Sequence, residues 1–441
     1  DADKVRFRKG RPERIGGWQK QSTDSFIGTC RKLFIYRASS GTNYITLGTH
    51  QKFYVLEGNV YSDVTPIRAT TTNGIVFAAT NGSSTITATD NAHGAVEGDF
   101  VTIAGAVSLG GTITAEVLNQ EHQITSVTTA DTFSFIVSAT ANSSDTGNGG
   151  SGADAVYQIN TGLDVYVQST GWGSGTWGAG TWGSANDLTL TNQLRLWSID
   201  NFGDDTVLNP RAGGVYYWDE SSGGNTRAVN ATTLSNASNV PTAVLQIMVS
   251  DVDKHVIAFG CNPIGSSAID PLLVRFSDTE SIVDWTPTAT NQAGGVQLSM
   301  GSTIIGALRT RQEILIWTDA GIISMRFVGS PFVFSFNEVA HGPSLISPNS
   351  AVNANNQVYF MDHGGFYSYS GSAQRLPCTV LDYVLSDLNQ GQAFKVFGAV
   401  NNIANEIMWF YPSGDSLEVD KYVMYNYLEQ VWSIGTTTDD F

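Results

Sequence analysis

A chain of 441 residues is too long for one ordinary domain and calls for two or three, unless it is a repeat architecture growing around one axis. Its charged residues make up 14%, well below the roughly 25% usual in soluble domains. A net charge of −17 excludes a protein that grips nucleic acid over most of its surface. The 41% of hydrophobic residues are enough for a sizeable core. Gly, Ser, Thr and Asn fill the polar share, which suits strands, turns and surfaces covered by partners.

No apolar run approaches the roughly 18 residues of a membrane span, and no signal-peptide pattern opens the chain at Asp1. Cys30, Cys261 and Cys378 are odd in number and widely spaced. They imply neither a disulfide framework nor a zinc knuckle, and read as thiols of a protein assembled in the cytoplasm. A strand pattern runs up to Thr436–Phe441, so further residues are expected beyond the ends.

The first feature in chain order is basic. Lys4, Arg6, Arg8, Lys9, Arg11 and Arg14, with Lys20, Arg31, Lys32 and Arg37, put ten of the 23 bases in the first 37 positions. Arg6 to Arg14 alternates charge with few apolar positions, as a solvated strand and turn would. Its functional readings are a contact with passing DNA or with the acidic body of a neighbouring subunit, and the acidic whole favours the neighbour.

Next comes a hairpin pattern, Tyr44–Gly48 turning into Lys52–Leu56. From 69 to 160 the pattern changes to short alternating strands, Ser84–Thr89, Gly98–Ile103, His122–Val127 and Asp131–Val137, which predicts a small β-barrel or sandwich. Ala141–Ala153, rich in Ser, Gly and Asn, reads as its flexible exit. Trp172, Trp177 and Trp182 then recur at a spacing of five within Gly171–Gly183, a spacing that fits no single helix or strand face. This is an irregular loop, either packed on itself or serving as a channel or interface anchor.

Five more aromatic hairpins follow: Leu194–Ser198 with Val215–Asp219, Val256–Gly260 with Leu273–Phe276, Ile314–Trp317 with Ile322–Phe327, Val358–Met361 with Phe366–Tyr369, and Ile407–Tyr411 with Tyr422–Asn426. They recur every roughly 40–60 residues, near the period of a four-stranded propeller blade. One hairpin cannot bury its aromatic face alone, whereas blades stacked in a ring bury both faces. The single helical pattern is Val380–Gln390. The expected fold is therefore all-β, a β-propeller-like ring of blades with an inserted small β-barrel or sandwich. Residues 1–68 would form N-terminal strands and a first blade, 69–160 the insertion, and 161–441 the remaining blades.

Chemistry-bearing patterns are sparse. His50, His93, His122, His255, His341 and His363 show no metal-binding spacing, and neither a GxSxG elbow nor a phosphate loop occurs. Asp200-Asn201-Phe202-Gly203-Asp204-Asp205 is oxygen-rich enough for Ca²⁺, but tight turns use the same residues and the full calcium-loop spacing is missing. The turns at Asp319 and Asp362 resemble the structural Asp-box turns of sialidase-like propellers. A glycan-binding or glycan-cleaving propeller is the alternative. It would need paired acids or a cluster drawn from Arg195, Arg211, Arg275, Arg309 and Arg311. The expectation is a protein without catalytic residues, metal or cofactor.

One likeness spans most of the chain. Val5-Arg6-Phe7-Arg8-Lys9-Gly10-Arg11-Pro12-Glu13-Arg14-Ile15-Gly16-Gly17-Trp18 resembles the opening of the tail nozzle proteins (tail tubular protein B, or tail stabilisation protein) of short-tailed bacteriophages. The likeness continues in Leu196–Gly203, Gly213–Asp219, Asp284–Pro287, Thr310–Asp319 and Leu345–Asn349. It implies a propeller-bearing virion protein, assembled as a hexameric ring below the portal and adaptor. Tail fibres or tailspikes would be further partners, and genomic DNA would pass without sequence-specific binding. The resemblance carries no catalytic residues.

Overall fold

The computed structural model describes residues 3–16, 22, 24–167, 190, 191 and 193–437. Its sheets are six four-stranded antiparallel blades, one closed six-stranded barrel and one two-stranded hairpin. The blades span 30–63, 197–230, 244–297, 304–341, 351–375 and 397–436. First strands of blades 1 to 4 lie side by side in turn, as do those of blades 5 and 6. They form the inner wall of a six-bladed β-propeller.

The aromatic hairpins are the second and third strands of five blades. Blade 2 departs from the sequence reading. Between Trp197–Phe202 and Tyr216–Trp218 runs a further strand, Asp205–Pro210, paired with both. Its Gly203-Asp204-Asp205 start and Pro210 end carry turn chemistry, which disguises the buried Val207 and Leu208 between them. The helix is Leu381–Asp387, seated on the interface of blades 5 and 6 through Val384.

The insertion is a closed barrel of Ile67–Ala79, Thr85–Thr89, Phe100–Ala104, Glu121–Thr129, Thr132–Ile136 and Asp145–Gln158. Alternation sends Ile86, Ala88, Phe133 and Phe135 inward. The Gly/Ser/Asn stretch expected to be a flexible exit is instead largely part of the barrel's longest strand. That strand pairs with Ile67–Ala79 through several register shifts, with Gly147 and Gly149 at positive φ. Such bulges need glycine and bend the strand sharply, so a strand can carry a loop-like composition. Lys52 ties the barrel to blade 1: its buried ammonium lies 2.8 Å from Asp63, contacts Glu121 of the barrel, and sits 4.5 Å above the Phe100 ring.

Five of the six blade interfaces are apolar. Trp197, Trp218 and Phe53 pack between blades 1 and 2. Trp285 with Val256 serves blades 2 and 3, and Phe276 with Phe334 serves blades 3 and 4. Trp317 with Phe360, and Trp409 with Phe366, complete the series. Approach is close enough that a Cβ on Gly48 would sit 2.3 Å from the Trp197 ring.

The sixth interface, between blades 6 and 1, has no such shared cluster among the described residues. Leu33 and Ile35 of blade 1 are 55% and 67% exposed there. The facing side of blade 6, with Met408, Phe410, Tyr422 and Met424, packs under Ile15 of the N-terminal arm instead. An ion cluster joins the seam. Arg31, only 5% exposed, forks onto Glu418 of blade 6 at 2.8 and 2.7 Å and reaches Asp164 at 2.5 Å. Lys395 adds a 2.6 Å contact to Glu418.

Burial opposes the charge on Glu418, but hydrogen bonds from Arg31 and Lys395 outweigh it and hold the carboxyl below its ordinary range. At Asp164 burial is likewise outweighed, by His50 and Arg31. Depressed carboxylate pKa values stabilise the fold above the ordinary carboxylate range, and that contribution disappears as pH falls through the folded values. Arg31→Met should therefore lower unfolding free energy by about 1–2 kcal/mol at pH 7, less than for a fully buried pair because Glu418 and Asp164 are 39% and 46% exposed and screened by solvent. The gap to the unsubstituted protein should shrink below about pH 4, as read by denaturant melts across pH. A gap unchanged at low pH would mean that Arg31 acts by packing alone.

Candidate functional site

Besides the ion clusters at the seam and around Lys52, two further places gather charge. The first is the N-terminal hairpin, Val5–Arg8 paired with Arg11–Arg14. Its two-residue turn, Lys9-Gly10, has both residues at positive φ (53° and 69°), as a type I′ turn requires. The Glu429 carboxylate accepts from both turn amides, the Gly10 contact being 3.0 Å. Lys4 N–H donates to the Ile434 carbonyl at 3.2 Å, fixing the hairpin to the edge of blade 6.

The six bases singled out in the sequence separate here. Arg6 turns onto the protein's own body, 3.0 Å from Glu406, whose side chain is 1% exposed. Lys4, half-buried, serves through its backbone. Arg8, Lys9, Arg11 and Arg14 are exposed, and their side chains make no ion pair with a described residue. Arg8 and Arg11 stand directly opposite each other, a like-charge pairing that weakens a hairpin unless something outside it supplies anions.

The second place is the propeller axis, where a half-open cavity of about 240 Å³ is lined mainly by inner strands of blades 1 to 4. Its charged lining residues are Lys32, Asp200, Arg211 and Arg309, accompanied by Gln246 and Asn349. Asp200 accepts from Val249 N–H at 2.9 Å, Asn201 N–H at 3.0 Å and Arg309 at 3.0 Å. Burial nevertheless raises its pKa, against the pull of Arg309. Arg309 also lies 3.2 Å from Asp251. Sequence reasoning names Arg211 and Arg309 among arginines that folding could gather, and Asp200 as a turn carboxylate, but joins none of them to Lys32 or Asn349. The cluster's signal was charge at inner-strand positions, Lys32 and Asp200, where a blade ordinarily carries apolar residues.

The five arginines of the glycan-site alternative do not converge. Arg195 donates to the Asn160 carbonyl at 2.6 Å and lies over Trp197, while Arg275 donates to the Asn239 carbonyl at 2.6 Å and lies over Trp285. Arg311 is exposed. Only Arg211 and Arg309 share a cavity. The carboxylates of the 200–205 turn also point apart: Asp204 accepts from Ser39 N–H at 2.7 Å, and Asp205 from the Tyr217 hydroxyl at 2.6 Å. Among the described residues no group of three or more His, Cys, Asp or Glu is placed to hold a metal. Asp319 ties the 301–303 turn, accepting from Ser302 N–H at 2.7 Å. Trp172, Trp177 and Trp182 lie outside the described residues.

No family model and no curated protein matches this chain. Solved structures similar to it include the phage phi92 endosialidase at 10% identity, covering 87% of this chain and 53% of that one, with a TM-score of 0.23. AztD of Citrobacter koseri has 10% identity, 90% and 82% coverage and a TM-score of 0.35. Virginiamycin B lyase of Staphylococcus aureus has 8% identity, 89% and 95% coverage and a TM-score of 0.32. The chain thus spans about half the length of the endosialidase. Likeness at this level transfers no activity, and the propeller assignment stands on the sheet order itself.

Loss of Arg6 should reveal a buried carboxylate. Burial holds Glu406 above its ordinary pKa even with Arg6 beside it, so its ionisation weakens the fold as pH rises through that value. Arg6→Met should cost about 2–3 kcal/mol at pH 7 and much less near pH 4, where Glu406 is protonated in both proteins. Urea unfolding at the two pH values reads the difference.

Proposed function

We propose that this chain is a structural virion protein, a nozzle subunit of a short phage tail, and that about six copies close into a ring below the portal and adaptor. The observation that carries this reading is the basic hairpin whose Arg8, Lys9, Arg11 and Arg14 side chains are exposed and make no ion pair with a described residue, on a chain of net charge −17. A cationic projection on an otherwise acidic body is complementary to a second copy of that body. When the two patches lie apart on one subunit, the contact is head-to-tail and generates a ring wherever the rotation between copies closes. Each exposed ion pair contributes only about 0.2–1 kcal/mol, but ring closure makes every subunit bind twice.

The size of the axial cavity bears on where DNA would pass. One base-pair step of duplex, about 20 Å across and 3.4 Å tall, occupies about 1,000 Å³. The cavity within one propeller is about 240 Å³, so the genome would run between copies rather than through a blade ring. An acidic wall facing that channel would let DNA slide without adhering. Tail fibres or tailspikes would attach on the outer face.

Light scattering with negative-stain imaging of the purified protein tests this. The expected particle is a ring of about six copies with an opening wider than about 20 Å, dissociating as salt rises. Replacing Arg8, Arg11 and Arg14 together by Glu should yield monomers with unchanged circular dichroism. A salt-insensitive assembly, or a triple variant that still forms rings, would discard the hairpin contact. A monomer that cleaves or binds a host-surface glycan would overturn the structural reading.

A further inference from the structure

The axial cavity carries an inference that does not depend on the nozzle reading. Its lining holds three cations, Lys32, Arg211 and Arg309, against one carboxylate, Asp200. Arg309 consumes that carboxylate and takes Asp251 as well. Lys32 and Arg211 make no ion pair with a described carboxylate, although Asp200 attracts Lys32 across the cavity. Lys32 Nζ donates to Asn349 Oδ1 at 2.9 Å, and no carboxylate of a described residue stands within ion-pair distance of it.

Arg211, 7% exposed, donates to the Leu245 carbonyl at 3.3 Å, lies over the Phe394 ring at 5.2 Å, and its Nε finds no acceptor. Two cations thus meet one small cavity without an ion pair to any described residue, Asp200 attracting Lys32 only from beyond ion-pair distance. Burial of an uncompensated charge is costly and is relieved by pairing. Both groups register that cost: burial draws the Lys32 ammonium down and lowers Arg211 to about 10.

We propose that the axial cavity is a binding site for one small multivalent oxyanion, a phosphate or a dicarboxylate, held between Lys32 and Arg211. The volume of about 240 Å³ is many times what a single water requires, room for such an anion with part of its hydration. Arg presents a planar fork that matches either oxyanion, and Lys supplies a compact charge beside it. Asn349 joins the site by orienting Lys32.

The test is isothermal titration calorimetry of the full chain with inorganic phosphate and, separately, with succinate, at constant ionic strength set by sodium chloride. The expected result is saturable binding of one anion per chain for at least one of the two, and the tighter of them identifies the class. Lys32→Met should weaken that binding at least tenfold, while Arg11→Met on the hairpin should leave it unchanged. Asn349→Asp supplies an internal counter-ion to Lys32. It should also lose tenfold or more in affinity, with a thermal midpoint no lower than the parent's, and it serves as the variant of record should Lys32→Met fail to fold. Absence of saturable binding by both anions, or binding that Asn349→Asp leaves intact, would overturn the proposal.

Discussion

The Arg31 fork onto Glu418 is the contact on which the ring depends. It joins groups 387 positions apart in sequence, and it does so at the interface where the shared apolar packing of the other five is missing. Elsewhere the hydrophobic effect closes neighbouring blades that also follow each other along the chain, so each closure costs little chain entropy. At the seam the partners come from opposite ends, and blade 1 keeps Leu33 and Ile35 largely in water. A directional, bidentate pair fixes register there in a way that apolar contact cannot. Its weakness is that it screens and titrates, whereas the tryptophan-lined interfaces do neither.

Charge placement follows one pattern. Lys52, Arg195, Arg211, Arg275 and Lys395 are all buried. Most of them act as ties from one element to another, donating to carbonyls or stacking on aromatic rings. A chain with only 23 basic residues that sends several inward leaves its outer surface more acidic than composition implies. The hairpin then stands out as a positive feature on that surface. Its like-charged Arg8–Arg11 pair is intelligible as a contact surface and poor as a device for stability alone.

The aromatic second and third strands were legible in sequence because they are long, buried on both faces and rich in Tyr, Phe and Trp. The outer strands were not. Val229–Asn230 and Ala373–Arg375 have two and three residues, too few for a period to show. The Gly/Ser/Asn-rich barrel strand was hidden by bulges that need the residues loops also use. At the hairpin the cations were visible as a run, but which of them is spent on the protein itself was not, since Glu406 and Glu429 are supplied by blade 6 from the far end of the chain. The axial cluster was invisible for a related reason. Lys32, Asp200, Arg211, Arg309 and Asn349 share no local pattern, and only ring closure brings them to one cavity.

The seam and the axis are contacted by adjacent residues of one strand, Arg31 and Lys32. Arg31 sits where the pairing of blade 1's first strand shifts register between Cys30 and Lys32, and it reaches the seam carboxylates while Lys32 reaches Asn349 at the axis. A blade 1 held firmly by Arg31 therefore places the Lys32 ammonium, and any loosening of the seam would move Lys32 away from Asn349 and Arg211. An anion on the axis would act in the reverse sense, drawing blade 1 toward the first strands of its neighbours and reinforcing an interface that apolar packing leaves open. By linkage the two effects are equal in free energy. The interface that lacks a hydrophobic cluster would thus be the one whose strength an axial anion, if bound, adjusts.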